Sequence, residues 1–298
     1  MPRPFRFGVD LLTPSSAKEW RAKCRRAEDL GYDVILVPDH LGMIAPFPAL
    51  AAAAEATERP RLGTYVLNAG FWNPALLARD VATTDALASG RLELGLGTGY
   101  VQAEHEAAGL PYGSPRERVD QLRHTVAELE RLLGSPEHLP RPAQPRVPLL
   151  IGGNGDRMLR LTAEYADIAS FTCRRPVPGS TTGQLMPLTP AELDERIVRY
   201  EKFAAERAAR AEPAELNVLI QLVAVTEDRE RALQPLVDRL PELPMEQALD
   251  MPIALVGTVE QITAQVRAQR ERYGFSYLTV LEPFMEEFAP VMEALRGE

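Results

Sequence analysis

Cysteine and histidine are scarce in this chain, and no window approaches the roughly 20 apolar residues that a membrane span requires. The 298 residues include two cysteines, Cys24 and Cys173, far apart and outside any CxxC spacing. That excludes a disulfide framework or thiolate metal site and predicts reduced thiols in a cytoplasmic protein. Cys24 falls on the buried face of a predicted helix, where it serves as core filler. The four histidines, His40, His105, His124 and His138, form no HxH or HExxH pair. Barrel hydrolases that build metal sites from such pairs are therefore not expected, and no metal site is predicted. The opening residues, Met1 to Phe7, lack the apolar core of a signal peptide. Positive charge is also in deficit: 33 Lys and Arg against 42 Asp and Glu give a net charge of −9. Nucleic acid and anionic membranes bind basic surfaces, so neither is an expected partner. A small anionic coenzyme remains compatible, since it needs only a few backbone N–H groups and one or two arginines.

What is present is a regular alternation. The composition, 45% hydrophobic and 25% charged, is that of an ordinary globular chain. Short apolar runs alternate with longer helical patterns, the signature of βαβ units and a parallel sheet. Strands are predicted at 5–9, 33–37, 62–67, 91–96, 147–151, 167–171, 216–225 and 277–281. Helices are predicted at 15–30, 49–57, 74–87, 115–133, 155–165 and 190–211, with further helix after Gly257 and at the end. Residues 227–250 read as helical decoration. Residues 173–189, rich in Pro, Gly, Ser and Thr, read as a long loop, the usual form of a lid or binding insertion. Eight strand–helix units give the expected fold class, α/β, as a single (β/α)8 barrel over 1–298. In such barrels the active site lies at the C-terminal strand ends.

Those ends carry the candidate site. After the second strand come Asp39 and His40, which either position and protonate a reacting group or merely cap a turn. After the third come Asn68, Phe71 and Trp72; the aromatic pair either walls a planar ligand or packs over the barrel mouth. After the fourth, Gly95-Leu96-Gly97-Thr98-Gly99-Tyr100 lets backbone approach a ligand closely. It is not GxGxxG and does not follow the first strand, so a Rossmann reading fails. After the fifth, Gly152-Gly153-Asn154-Gly155 leads into a helix, pointing free N–H groups at one place, with Arg157 adding charge. Phosphate binding is the favoured reading there.

Together these motifs resemble the luciferase-like family of flavin-dependent oxidoreductases. The resemblance is densest over Asn73–Asp80 and Asp85–Gly99, with its helix, Ser89-Gly90-Arg91 turn and glycine-rich strand end. Pro38-Asp39-His40, the Gly152–Arg157 loop, Ala166-Asp167 and Val256-Gly257-Thr258 support it across nearly the whole chain. Within the family the sequence is most similar to the branch using deazaflavin coenzyme F420, with FMN as the alternative cofactor.

The resemblance implies a ring lying across the barrel mouth. Asp39, Tyr65, Val66, Asn68, Thr98 and Gly99 would contact it, Tyr65 and Val66 at a bulge that often carries a non-prolyl cis peptide. Gly152, Gly153, Asn154, Gly155, Arg157 and Met158 would hold its phosphate side. His40 and Tyr100 would be the catalytic pair. Two departures argue against sugar-phosphate oxidation. Tyr100 stands where those dehydrogenases carry a glutamate, and Gly42-Met43-Ile44 where they carry a tryptophan. A pocket edged by Met43, Phe47, Phe71 and Trp72 suits an apolar carbonyl, enone or alcohol. The expected activity is hydride transfer between F420 and such a small molecule. The alternatives are an FMN monooxygenase fed by a reductase partner and a non-catalytic F420-binding protein. A homodimer is implied by the resemblance alone.

Overall fold

The computed structural model describes residues 3–13, 16–177, 184–206, 213–240 and 243–298. In chain order the elements are β1 (Arg6–Asp10), α1 (Ala17–Leu30), β2 (Val34–Val37), α2 (Pro46–Ala56), β3 (Arg61–Thr64) and β4 (Leu67–Asn68). There follow α3 (Pro74–Leu87), β5 (Leu92–Gly97), α4 (Gln102–Ala107), α5 (Pro115–Leu133), β6 (Leu149–Gly152), α6 (Asp156–Tyr165) and β7 (Ile168–Phe171). The remainder is β8 (Arg174–Pro176), β9 (Leu185–Pro187), α7 (Pro190–Ala205), β10 (Glu215–Ile220), β11 (Leu222–Val225) and α8 (Arg229–Arg239). The chain closes with α9 (Met245–Leu249), β12 (Ala254–Gly257), α10 (Val259–Tyr273), β13 (Phe275–Leu281) and α11 (Met285–Leu295).

Local chemistry sets these boundaries. Ser16, Ser114, Thr189 and Thr258 each cap a helix, accepting from the backbone N–H of the Glu or Gln three residues on and donating their own N–H to its side chain. Such boxes satisfy two backbone donors that the first helical turn leaves unpaired. The strands are buried on both faces, so they read as continuous apolar runs such as Val34–Val37.

The parallel order β3-β2-β1-β13-β10-β7-β6-β5-β4 is closed by pairing of β3 with β5. β3 and β4 are two halves of one stave, interrupted at Tyr65–Val66, whose peptide is cis. Counted this way, the sheet is a closed eight-stave barrel wrapped by helices, as the alternation predicts. Its floor is ionic: Arg6 lies 2.5 Å from both Glu93 and Glu215, and Arg61 lies 2.6 Å from Glu93. Its interior is filled by Val34, Leu36, Tyr65, Leu150, Ile168 and Tyr277. Above that layer, Tyr65 Oη lies 2.8 Å from both Ser170 Oγ and Asn217 Oδ1, while Asn217 Nδ2 donates to Tyr277 O at 3.0 Å. This polar plug supports the stave interruption from below.

The structure departs from the sequence reading at several elements. The predicted strand 216–225 is two strands, because Gln221 breaks the apolar run. Gln221 N and Leu222 N both turn to Ile253 O, and β11 leaves the barrel to pair with β12. The predicted loop 173–189 contains an antiparallel hairpin, β8 with β9, which leaves residues 178–183 outside the described set. The short helix α4 was not expected, since a six-residue element shows no useful periodicity. The first helix begins after Ser16; the predicted start, Ser15, and the predicted end of the 190–211 helix lie outside the described residues. Cys24 is buried with no exposed surface, as expected of core filler.

Gly95 shows how tightly β5 fits the interrupted stave. A Cβ there would lie 2.0 Å from the Thr64 carbonyl oxygen, and backbone cannot swing aside as a side-chain tip can. Gly95→Ala is expected to destabilise the fold by about 2–4 kcal/mol in urea melts, as forced overpacking does. A change within about 0.5 kcal/mol contradicts this account of the closure.

Candidate active site

A parallel barrel turns all its C-terminal strand ends to one rim. Here that rim holds a cavity of about 380 Å³. Its walls are drawn from around the whole circle: Asp10 at the end of β1, Asp39, His40 and Met43 after β2, and Tyr65, Val66 and Asn68 at the interrupted stave. Gly97 ends β5 and Thr98, Gly99 and Tyr100 follow it, while Gly152 ends β6 and Gly153, Asn154 and Met158 follow that strand. Ser170, Thr172 and Arg174 come from the end of β7 and the hairpin, Leu219 from β10, and Gln221 from the break between β10 and β11.

Two glycines make room for the wall opposite them. A Cβ on Gly97 would lie 2.7 Å from Val66 Cγ2. One on Gly99, whose φ is +66°, would lie 2.4 Å from the Asn68 carboxamide. A side chain at Gly97 would collide with Val66, and one at Gly99 with Asn68.

His40 and Glu104 form the polar pair of the cavity, with His40 Nδ1 2.8 Å from Glu104 Oε1. The Tyr100 ring stands edge-on to the imidazole, with centroids 5.7 Å apart. Burial raises the Tyr100 phenol above its ordinary range, while the nearby Arg174 charge opposes the shift. Asp39 is fixed, accepting from Trp72 Nε1 at 2.9 Å and from the Asn68 amide at 3.1 Å. Burial nevertheless raises its carboxyl, against the pull of those two bonds and of His40.

The second histidine in this region is structural. His105 Nδ1 lies 2.9 Å from the Pro111 carbonyl, so it carries the proton. Nε2 then accepts from Asn68 Nδ2 at 2.9 Å. Asn154 ties the β6 loop to the hairpin, donating to Thr172 Oγ1 at 3.0 Å and to Arg174 O at 2.7 Å.

Most sequence-predicted residues meet in this cavity: Asp39, His40, Met43, Tyr65, Val66, Asn68, Thr98, Gly99, Tyr100, Gly152, Gly153, Asn154 and Met158. Five do not line it. Gly155 is the exposed N-cap of α6. Arg157, two residues on, points outward to pair with Asp120 on α5 at 2.5 Å, one turn too far round to reach the rim. Phe47 is buried edge-on against Trp72 at 5.3 Å, a packing contact. Phe71 and Trp72 line a neighbouring depression of about 500 Å³ with His105, Tyr112 and Arg118. Trp72 acts on the cavity indirectly, through its bond to Asp39.

Sequence reasoning missed three charged wall residues. Asp10 ends the apolar run of β1, and a carboxylate closing such a strand was the available signal. Glu104 and Arg174 sit on α4 and β8, the two elements whose structure was not foreseen. No three His, Cys, Asp or Glu gather as a metal site among the described residues. No described helix is long and apolar enough to cross a membrane.

A family model described as luciferase-like monooxygenase matches residues 3–277. The chain is similar to an F420-dependent glucose-6-phosphate dehydrogenase of Nakamurella multipartita, 30% identical over 261 residues, 78% of this chain and 71% of that one. The same kind of enzyme from Intrasporangium calvum is 36% identical over 174 residues, 50% of this chain. That alignment spans about half of the relative's own length, 51%. Among solved structures, an F420-dependent secondary alcohol dehydrogenase in complex with an F420-acetone adduct superposes with a TM-score of 0.79 at 18% identity. The superposition covers 99% of this chain and 100% of that one, which establishes a shared fold.

Asp10 makes the cavity's electrostatics testable. It is buried, and its Oδ1 is enclosed with no hydrogen-bond partner among the described residues. Burial, reinforced by the charge of Glu282, pushes its carboxyl well above the ordinary 3.8. Between the unfolded and folded values the native state holds the extra proton, so this group's contribution to stability falls as pH rises. Asp10→Asn is therefore expected to gain stability on the wild type as pH rises from about 4, by a few degrees in Tm at pH 8. A Tm difference that stays flat with pH, or reverses, refutes the assignment.

Proposed function

Because the chain belongs to the luciferase-like monooxygenase family, we propose that it is an oxidoreductase that binds coenzyme F420 at the barrel rim and exchanges a hydride with a small organic molecule. The observation that carries this reading is the convergence of four distant segments, around His40, Val66, Thr98 and Gly153, on one cavity of about 380 Å³. That volume lies within the usual range for small-molecule sites. The residues suit a flat, anionic coenzyme: a cavity wall at Gly97 and Gly99 that carries no side chain where it packs on Val66 and Asn68, and a glycine loop ahead of α6.

When bound, the deazaflavin supplies a carbon that gives or takes a hydride. Asp39, Asn68, Thr98 and Gly99 would hold its ring side, and Gly152, Gly153 and Asn154 its phosphate side. The chain itself handles the proton. Glu104 engages His40 Nδ1, which fixes the imidazole and leaves Nε2 for the substrate oxygen. For carbonyl reduction a protonated Nε2 donates; for alcohol oxidation a bare Nε2 accepts. Met43, Leu185 and Leu219 add apolar wall that keeps water from the reacting atoms. Glu104 thus offers, four positions later, an acid in the region where Tyr100 departs from the sugar-phosphate dehydrogenase pattern. Its bond to His40 marks it as a positioning residue for the imidazole.

The chemistry separates from binding in mutants. His40→Ala is expected to lower kcat by roughly 10²–10⁴-fold while leaving the F420 Kd within threefold. Glu104→Gln is expected to lower kcat less, with its effect absorbed when His40 is already Ala. Independent, multiplicative losses in the double mutant contradict the pairing. Fluorescence titration tests the coenzyme directly: F420 is expected to bind at least 100-fold tighter than FMN. Tight FMN binding with no F420 binding favours a flavin monooxygenase instead. F420 binding without turnover across enones, ketones and alcohols favours a carrier protein.

A further inference from the structure

Arg174 is the cavity wall's unexplained charge. It opens β8 of the hairpin that covers one side of the rim, and its backbone is fixed twice: Asn154 holds its carbonyl, and β8 pairs with β9. Its guanidinium is poorly served. Nη1 donates to Gln221 Oε1 at 3.1 Å, and Nε is enclosed with no acceptor among the described residues. No carboxylate pairs with it among the described residues, whereas its neighbour Arg175 faces Glu192 at 3.6 Å. The other charged groups of the cavity leave this cation unbalanced. Asp39 is bonded to Trp72 and Asn68, Glu104 to His40, and Asp10 is displaced toward its neutral form. Burial lowers the Arg174 pKa, which the proximity of the Tyr100 phenol only partly offsets.

A half-buried guanidinium that gains no acid is held at a cost, and an arriving anion offsets it. Arg174, Tyr100 and His40 line the same cavity, and Tyr100 stands edge-on to His40. The charge therefore shares the cavity with the imidazole that a substrate would meet, while the loop leading into α6 is the place proposed above for the coenzyme phosphate. We propose that Arg174 is a substrate-specificity residue that recognises an anionic oxygen group, a carboxylate, on the molecule that reacts beside His40. This rests on the oxidoreductase reading above and narrows its small organic molecule to an acid whose body lies against Met43, Leu185 and Leu219 and whose charge meets Arg174.

Calorimetric titration with matched probes tests it without turnover. Benzoate and its uncharged analogue benzamide are titrated into the F420-loaded protein, wild type, Arg174→Gln and Arg174→Lys, with Tm recorded for each. Wild type is expected to bind benzoate at least tenfold tighter than benzamide. Arg174→Gln should abolish that preference while leaving the F420 Kd within threefold, and Arg174→Lys should restore part of it. Equal binding of the two probes to wild type overturns the proposal, as does a benzoate preference that survives in Arg174→Gln. A tenfold loss of F420 affinity in Arg174→Gln with benzoate binding intact assigns the charge to the coenzyme phosphate and also overturns it. Should F420 fail to bind at all, the coenzyme reading falls. The titration repeated on the protein alone then still supports the anion site if benzoate preference depends on Arg174.

Discussion

The site depends on how the third stave meets the fifth strand. β3 and β5 pair at the floor and β4 and β5 at the rim, with Tyr65–Val66 between them turned into the barrel. The intrusion is possible only because β5 presents Gly95 and Gly97 at the points of contact. The hydroxyl and amide plug of Tyr65, Ser170 and Asn217 holds it from beneath. Val66 therefore projects into the cavity as a fixed ridge, and a flat ring lying on the rim would rest against it. The same closure fixes the phases of the other strand ends, and with them the positions of Asp39, His40 and the loop after β6.

Around that ridge the cavity divides by chemistry. One side is backbone and small polar groups, from Thr98, Gly99, Gly152 and Gly153. The other is charged and aromatic, with His40 steered by Glu104, Tyr100 beside them, and Arg174 in the same wall. The first side suits the proposed coenzyme, since glycine loops read shape and charge. The second side suits a variable partner, because Glu104 and Arg174 sit on α4 and on the hairpin, insertions into the loops rather than on the barrel itself.

The barrel was legible in the sequence because a strand covered on both faces must be continuously apolar and a surface helix amphipathic. Val34–Val37 and Pro115–Leu133 are plain examples. The glycine-lined wall of the cavity was legible for a related reason: Gly97, Gly99 and Gly153 occupy places where close approach or a positive φ leaves few other residues that fit. What escaped was the chemistry carried on short elements. Glu104 reaches His40 across 64 positions, and nothing in a six-residue helix announces that contact. Arg157 looked like a phosphate ligand from its place after the glycine loop. Helical phase turned it outward to Asp120 instead. Phe47 and Trp72 fell to the same difficulty, since an aromatic near a strand end packs inward as readily as it faces a ligand.

The most direct measurement is a crystal structure of the protein soaked with F420. The account requires the ring to lie on the Val66 ridge between Gly97 and His40, with the coenzyme's phosphate at Gly152–Asn154 and open space between the ring and Arg174. A ring bound in the depression beside Phe71 and Tyr112, or one whose phosphate seeks Arg174 and so fills the substrate side, would contradict it.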